Sequence, residues 1–380
     1  MNVSFFTSTR GYIEKKKEFD EAISKVLLSG MFIMGAEVKE LEELVAQYTG
    51  AKYAVGVASG TDALLLSSDI LGFKKGKEVI TSPFTFFSSV SCIYKNGAKP
   101  VFVDVDEDTF NINTNLIEGK INENTIGILP VHLFSQMADM DQIINISEKY
   151  NLKVLEDAAE SFGMCWKGNG KETRHSGTIG DMGIYSFFPT KTLGAYGDAG
   201  MIVTNNEELY KLAKAYRVHG ATKKYHHDYV GYNSRLDTIQ AAVLKVKMKY
   251  VDEAIHNREI VAGWYKDRLS DCSEIILPKI KGNQTPVYYV FNIRTQKRDE
   301  LQKFLKDNGI QTTIYYPKPL HLQKCFEGLG YKKGDFPVAE KLCNEVLALP
   351  IYPEIREDEV AYVCNKIKEF YKAYFVRPSE

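Results

Sequence analysis

The chain lacks several features that mark specialised classes of protein. Its 380 residues contain six cysteines, and no two of them form a CxxC pair. This spacing fits neither a zinc knuckle nor a compact disulfide framework, so we expect reduced thiols and no metal site. Lysine and arginine total 48 against 49 for aspartate and glutamate. This balance gives no electrostatic reason to expect binding to nucleic acid.

The sequence also predicts neither a targeting signal nor a membrane-spanning segment. The first residues, MNVSFFTSTRGY, show no cationic segment followed by an apolar core, so we expect no secretory signal. The longest apolar stretch, around residues 51–71, is interrupted by Gly, Ser and Asp, and we expect no membrane span. We therefore expect a soluble cytoplasmic protein with no membrane partner.

Two nucleotide-binding signatures are absent or incomplete. No GxGxxG sequence follows a predicted strand, so a dinucleotide-binding fold is not indicated. Residues 167–172, KGNGKE, lack the first glycine of a P-loop and the Ser or Thr that follows its lysine. We expect an exposed turn there.

What the sequence does contain is an alternation of strand-like and helix-like segments. Short runs rich in Val, Ile or aromatic residues predict strands at Tyr53–Ala58, Glu78–Thr81, Val101–Val105, Thr125–Val131, Lys153–Glu156, Met182–Phe187 and Gly200–Thr204. Segments with helical spacing lie between them. Strand alternating with helix predicts an α/β fold with a mostly parallel central sheet and helices on both faces.

After about residue 245 the pattern changes to longer helices and isolated strands. Helices are predicted at Val251–Leu269, Gln302–Asn308, Ala339–Leu347 and Asp358–Tyr374, and strands at Val287–Thr295 and Ile310–Tyr315. No Gly/Ser-rich linker separates the two patterns. We interpret residues 1–245 as a large domain and residues 246–380 as a smaller C-terminal α+β domain.

Three groups of residues lie where open parallel sheets bind ligands, at the carboxyl ends of strands. Ser59-Gly60-Thr61 begins a helix, whose unpaired N–H groups bind phosphate; simple helix capping is the alternative. Asp157 ends an apolar strand, where an acid needs a cation or a hydrogen-bond donor; it too could be a helix cap. Lys191 lies in an apolar, glycine-containing loop, where desolvation would lower its pKa and make its amine nucleophilic.

The order of these groups points to one aldehyde cofactor. A lysine can carry the aldehyde as a Schiff base, an acid can pair with a pyridinium nitrogen, and a helix start can take a phosphate. Each signal alone is modest, since most lysines are solvated surface charges. Together they match the contacts that pyridoxal 5'-phosphate (PLP) requires.

The motifs around these residues resemble those of the DegT-type sugar aminotransferases, a branch of the PLP-dependent transferases of fold type I. The resemblance covers nearly the whole chain and implies that fold, with residues 1–245 as the PLP-binding domain. The segments that carry it are Ser29–Glu42, Ala58–Leu64, Glu156–Ser161, Ser186–Gly200, Tyr232–Ala242 and Tyr315–Gln323.

The resemblance assigns cofactor contacts residue by residue. It implies that Lys191 forms the Schiff base with PLP and that Asp157 keeps the ring nitrogen protonated. Phe86 would stack on the ring face, with a core aromatic as the alternative. The residues that would hold the phosphate are Gly60, Thr61 and Ser186.

Three further positions follow from the same resemblance. Many family members carry Gln or His where this chain has Glu160, near the phenolic oxygen of PLP, so we expect Glu160 to be protonated or turned away. Asn233 resembles an asparagine that reaches the phosphate from a second subunit, which implies a homodimer with shared active sites. Arg235 is a candidate for anion recognition, and a structural ion pair is the alternative.

The implied reaction moves an amino group from L-glutamate to a nucleotide-linked keto-sugar. The segment 316–321 and the YNSRLD motif favour a dTDP-linked 3-keto-6-deoxyhexose, although many such enzymes have His where this chain has Tyr315. Tyr315 and His321 are the candidate sugar contacts, with a structural role as the alternative for His321. The alternative substrates are UDP- or GDP-linked 3-keto or 4-keto sugars. The alternative function is a PLP-binding regulator without turnover.

Overall fold

The computed structural model describes residues 1–134, 136–167, 173–282 and 284–376. Its strands are β1 Tyr53–Val57, β2 Glu78–Thr81, β3 Lys99–Phe102, β4 Thr125–Ile128, β5 Lys153–Asp157, β6 Cys165–Lys167, β7 Thr173–His175, β8 Met182–Ser186, β9 Gly200–Thr204, β10 Ala221–Lys223, β11 His226–His227, β12 Gln284–Thr285, β13 Phe291–Arg294 and β14 Val346–Leu349.

The α-helices are α1 Thr9–Glu14, α2 Lys16–Ser29, α3 Ala36–Thr49, α4 Gly60–Ile70, α5 Phe87–Lys95, α6 Met140–Tyr150, α7 Glu207–Tyr216, α8 Thr238–Met248, α9 Val251–Leu269, α10 Arg298–Asp307, α11 Pro337–Glu345 and α12 Glu357–Val376. Short 3-10 helices lie at Thr114–Leu116, Glu118–Lys120, Leu320–Leu322 and Lys324–Leu329.

Seven strands form the central sheet, in the order β1-β9-β8-β5-β4-β2-β3. Neighbours from β3 to β8 are parallel, whereas β9 is antiparallel to both β8 and β1. The strands β1, β5 and β8 therefore run in one direction and end at the same edge of the sheet. Each of the seven predicted strands takes part, and the prediction of a mostly parallel sheet is confirmed.

Helices cover both faces of this sheet because the strands carry apolar side chains on both sides. Val55 and Ile184 face one side, where they pack with residues of α4, α5 and α7. Ala54 and Tyr185, their neighbours in sequence, face the other side and pack with residues of α3 and α8. The sheet is thus the middle layer of three, as its continuous apolar strands predict.

A smaller unit follows α8 and consists of α9 to α12 with the two-stranded sheet β13-β14. Its core includes Val3, whose N–H donates to the Gly309 carbonyl at 2.9 Å. The Arg10 guanidinium donates to the Glu359 carboxylate at 2.7 Å. Val3 and Arg10 therefore contact elements that follow α8 in sequence. The predicted division into two domains at residue 245 stays a prediction.

Two predicted elements of the smaller unit differ from the structure. The strand predicted at Ile310–Tyr315 is reduced to isolated bridges, from Ile310 to Val3 and from Thr313 to Ala348. The helix predicted at Ala339–Leu347 ends at Glu345, and the next four residues form β14. Pairing of this buried apolar run with β13 outweighs its helical spacing.

Among the described helices, none combines the length and the apolarity needed to cross a membrane. The turn predicted at residues 167–172 lies outside the described residues from residue 168 onward.

Candidate active site

The carboxyl ends of β1, β5 and β8 open into a cavity of about 430 Å³. Loops after β2 and β4 add two more walls, and tyrosines of the smaller unit close the remaining side. Eight of the eleven predicted site residues line this cavity: Gly60, Thr61, Phe86, Asp157, Glu160, Ser186, Lys191 and Tyr315. The fold therefore brings together the lysine, the acid and the helix start that lie far apart in sequence.

The start of α4 forms one end of the cavity. Ser59 caps this helix through its hydroxyl oxygen. Within the described residues, the N–H groups of Gly60 and Thr61 have no hydrogen-bond acceptor. Gly60 lies against Ser186, since a Cβ at position 60 would be 2.6 Å from the Ser186 Cβ, and the hydroxyls of Thr61 and Ser88 are 2.8 Å apart. Free amides and hydroxyls at a helix N-terminus fit a phosphate group.

Asp157 is buried at the end of β5, with 3% of its surface exposed. One carboxyl oxygen accepts from the Ser89 hydroxyl at 2.7 Å and the other from the Ala159 N–H at 3.1 Å. Burial raises the pKa of Asp157, and these two hydrogen bonds offset only part of the rise. Within the described chain this carboxyl forms no ion pair, so its environment fits a ligand that brings a cationic or protonated nitrogen.

The amine of Lys191 lies between a carboxylate and an aromatic ring. Its Nζ is 3.4 Å from the Glu160 Oε1 and 4.1 Å from the centre of the Tyr289 ring. Burial lowers the pKa of Lys191, but Tyr289 and Glu160 raise it by more, and the net direction is upward. The sequence-based expectation of a lowered pKa is therefore wrong for this structure, because the fold brings acidic groups to the amine that the local sequence does not reveal.

Glu160 faces the cavity. Its Oε1 accepts from the Tyr316 hydroxyl at 3.3 Å, and its Oε2 accepts from the Phe134 N–H at 3.1 Å. The sequence predicts that Glu160 is either protonated or turned away from the cavity, and in the structure it is not turned away. The expectation of a protonated Glu160 concerns the chain with bound PLP, where the phenolic oxygen would be a second anion, and it stays a prediction for that state.

The cavity also contains residues that the sequence reasoning missed. Thr190 and Tyr316 are direct sequence neighbours of the predicted Lys191 and Tyr315, so their positions in the sequence could have indicated them. Ser89 follows the predicted Phe86 within one helical turn. Tyr289 had no such signal, because it belongs to the smaller unit and reaches the lysine loop through its hydroxyl, 3.2 Å from the Thr190 Oγ1.

Three predicted residues do not line the cavity. His321 is 1% exposed, with its Nε2 3.1 Å from the Glu340 Oε1 and its ring against Phe336, a packing that favours the structural alternative. Asn233 is exposed and Arg235 partly exposed. With the described residues Arg235 forms no ion pair, so the anion-recognition role remains open to it.

Comparison with known proteins supports a single family. The DegT/DnrJ/EryC1/StrS aminotransferase family matches residues 13–368. A Geobacillus stearothermophilus protein named "Pleiotropic regulatory protein" is 45% identical over 98% of this chain and 100% of its own. The UDP-2-acetamido-2-deoxy-3-oxo-D-glucuronate aminotransferase of Pseudomonas aeruginosa is 40% identical over 92% of this chain and 95% of its own. The crystal structure of S. venezuelae DesV in complex with a ketimine intermediate has a TM-score of 0.94 at 35% identity, covering 100% of both chains.

These matches cover both the sheet and the smaller unit. The similarity to solved aminotransferases confirms the predicted fold, that of the PLP-dependent transferases of fold type I. The chain belongs to the DegT/DnrJ/EryC1/StrS aminotransferase family.

Proposed function

We propose that this protein is a PLP-dependent aminotransferase that transfers an amino group from L-glutamate to a nucleotide-linked 3-keto sugar. One observation carries the proposal: Lys191 and Asp157 face the same cavity, beside the free amides at the start of α4. An amine, a buried carboxyl group and a helix N-terminus are the contacts that this cofactor needs.

Each residue of the cavity has a chemical role in this proposal. Bound PLP would supply an aldehyde that exchanges amino groups and a ring that stabilises negative charge on the substrate carbon. The N–H groups of Gly60 and Thr61 and the Ser186 hydroxyl would hold the phosphate, and Asp157 would hold a proton on the ring nitrogen. Lys191 would attach the cofactor through Nζ and, once displaced by the donor amine, would use the same atom to take and return the substrate proton.

The choice of a 3-keto sugar has two supports. The P. aeruginosa relative is named for a UDP-linked 3-oxo sugar. The segment 316–321 and the YNSRLD motif favour the same keto position, and Tyr315 lines the cavity where a sugar would lie. A dTDP-linked 3-keto-6-deoxyhexose is the first substrate to test, with UDP- and GDP-linked 3-keto and 4-keto sugars beside it.

We also propose a homodimer in which each active site includes residues of the second copy. The segment 27–34 exposes apolar side chains, including 90% of Leu28 and 57% of Met31, and contiguous patches of this kind mark interaction surfaces. The Thr238 N–H donates to the Phe32 carbonyl at 2.9 Å, so this segment neighbours the one that carries Asn233. An exposed Asn233 beside an apolar surface is available to reach the cavity of a second copy.

A cytoplasmic location is part of the proposal. Five cysteines, Cys92, Cys272, Cys325, Cys343 and Cys364, are free thiols. Free thiols persist in a reducing compartment. Recovery of the protein with cytoplasmic marker enzymes after cell fractionation would test this point.

Turnover with defined substrates tests the proposed reaction. Purified protein is incubated with PLP, L-glutamate and each nucleotide-linked keto-sugar, and 2-oxoglutarate and the amino-sugar are measured. We expect turnover with a 3-keto sugar and none in the Lys191→Ala variant. PLP binding without turnover on any sugar would instead support a regulator, the second candidate, which the name of the Geobacillus relative favours.

Mixed dimers test whether the sites are shared. Lys191→Ala and Asn233→Ala chains are co-expressed, and the heterodimer is purified. If each site combines residues of two copies, the heterodimer has one intact site and is more active than either variant alone. If each site is built from one chain, the heterodimer shows no such gain.

A further inference from the structure

Lys191 has a direct ionic partner in this cavity. Its Nζ lies 3.4 Å from the Glu160 Oε1, and the two side chains are 13% and 8% exposed. An ion pair shielded in this way is screened far less by solvent than a surface pair. The contact is therefore a substantial electrostatic interaction of the reactive amine.

The surrounding residues hold the carboxylate in place. The Tyr316 hydroxyl and the Phe134 N–H donate to different oxygens of Glu160, at 3.3 and 3.1 Å. The Tyr289 ring lies 4.1 Å from the Lys191 Nζ, a distance at which an aromatic face attracts an ammonium ion. Groups from the large sheet and from the smaller unit thus converge on one cation.

No other cationic side chain lines the cavity within the described residues. The titratable groups around the pair are acids: Asp157, Asp198, Tyr289, Tyr315 and Tyr316. Behind the loop 189–196, a separate cavity of about 130 Å³ brings Lys247, Arg258 and Glu354 near the same segment. On the side of the reactive amine, the electrostatic environment therefore favours a positive charge on Lys191.

We propose that Glu160 is a positioning residue that holds Lys191 as an ammonium ion in the cofactor-free chain. This inference rests on the proposed function for the use of Lys191. A glutamine at this position could accept a hydrogen bond from the amine but could not stabilise its charge. The carboxylate therefore fixes the amine of the cofactor-free chain in one charged position, and the amine must lose a proton before it can condense with PLP.

The pKa of Lys191 agrees with this assignment. Burial lowers it, but Tyr289 and Glu160 raise it by more. Replacing Glu160 by Gln removes one negative charge at 3.4 Å. Loss of that charge should lower the pKa of Lys191.

Competitive labelling with acetic anhydride measures this ionisation without turnover. The 380-residue chain is stripped of cofactor and labelled over a pH series, and the Lys191 peptide is quantified by mass spectrometry. We expect the midpoint to fall by roughly one to three pH units in Glu160→Gln. The matched control is Glu207→Gln, which removes an exposed carboxylate paired with Lys211 at 3.1 Å and should leave the Lys191 midpoint unchanged. An unchanged midpoint in Glu160→Gln overturns the proposal.

Two further measurements distinguish a failure of the proposed role of Glu160 from a failure of the proposed function. If Glu160→Gln does not fold, the wild-type chain still decides, since Lys191 must ionise at a higher pH than the 89% exposed Lys17 in the same digest. A lower value for Lys191 overturns the proposal. Separately, PLP added to the wild-type chain must give a visible absorbance that Lys191→Ala abolishes. Loss of that signal in the wild type defeats the proposed function, whereas a normal signal with an unmoved midpoint defeats only the role of Glu160.

Discussion

Replacing Gly60 by Ala provides a direct test of the phosphate site at the start of α4. A Cβ at this position would lie 2.6 Å from the Cβ of Ser186 and 3.1 Å from its Cα. Neither atom is the far end of a flexible side chain, because Ser186 is the last residue of β8 and pairs with Gly200 of β9. The added methyl group must therefore push the start of α4 away from the sheet.

The size of the effect follows from the cost of overpacking. One extra methyl group in a well-packed position costs about 1–3 kcal/mol. The higher helix propensity of Ala offsets at most about 1 kcal/mol of this. Because the strain is relieved by displacing the amides of Gly60 and Thr61, we expect the affinity for PLP to fall roughly 5- to 150-fold.

The assay is a titration of the purified chain with PLP, followed by visible absorbance, together with urea unfolding of the cofactor-free chain. Gly263→Ala in α9 is the matched control, since a Cβ there meets nothing within 4 Å. We expect this control to stabilise the chain by about 0.5–1 kcal/mol and to leave PLP affinity unchanged. A Gly60→Ala chain that binds PLP as tightly as the wild type would refute the assignment of the phosphate to this helix.

Three other substitutions test the site and its surroundings. Burial raises the pKa of Asp157, so the ionised carboxylate destabilises the cofactor-free chain at pH values above the ordinary aspartate pKa. Asp157→Asn should therefore raise the unfolding free energy at neutral pH. This gain should vanish when the pH falls below the ordinary aspartate pKa. Burial lowers the pKa of His321 from 6.5, so the unfolded chain binds a proton at a higher pH than the folded chain does. The free energy of unfolding should therefore fall as the pH drops below 6.5. His321→Gln should reduce this loss in urea unfolding at two pH values and leave the sugar KM unchanged, whereas a raised KM would favour a sugar contact. Arg235→Ala should raise the KM for the nucleotide-linked sugar roughly tenfold, the loss expected for one charged hydrogen bond, with no change in unfolding free energy.

Much of the fold could be predicted from local sequence patterns. Strands buried on both faces are short apolar runs, and the seven runs of this chain correspond to the seven strands of the central sheet. Parallel strands end at one edge of the sheet, which explains why Gly60, Asp157 and Lys191 meet although long segments separate them. These site residues could be predicted from the sequence for the same reason, because each of them lies at or just after a strand end.

The remaining features depend on contacts between distant segments. Val346 and Leu347 continue the helical spacing of the residues before them, but pairing with β13 makes them the start of a strand. Tyr289 closes the cavity from the smaller unit, where no local pattern marks it. The upward shift of the Lys191 pKa has the same origin, since Glu160 and Tyr289 reach the amine through the tertiary fold.

The position of Val3 has a consequence for how the chain is assembled during synthesis. Its backbone bonds to Gly309 and Gln311, and the Phe5 N–H donates to the Gln311 side chain, 306 residues away. On a ribosome, residues 3 and 5 emerge well before residues 309–311, to which they bind, and chains fold largely as their segments appear. Docking of residues 3–5 therefore follows the synthesis of residues 309–311, and protection of their amides from hydrogen exchange would report that this later segment has folded.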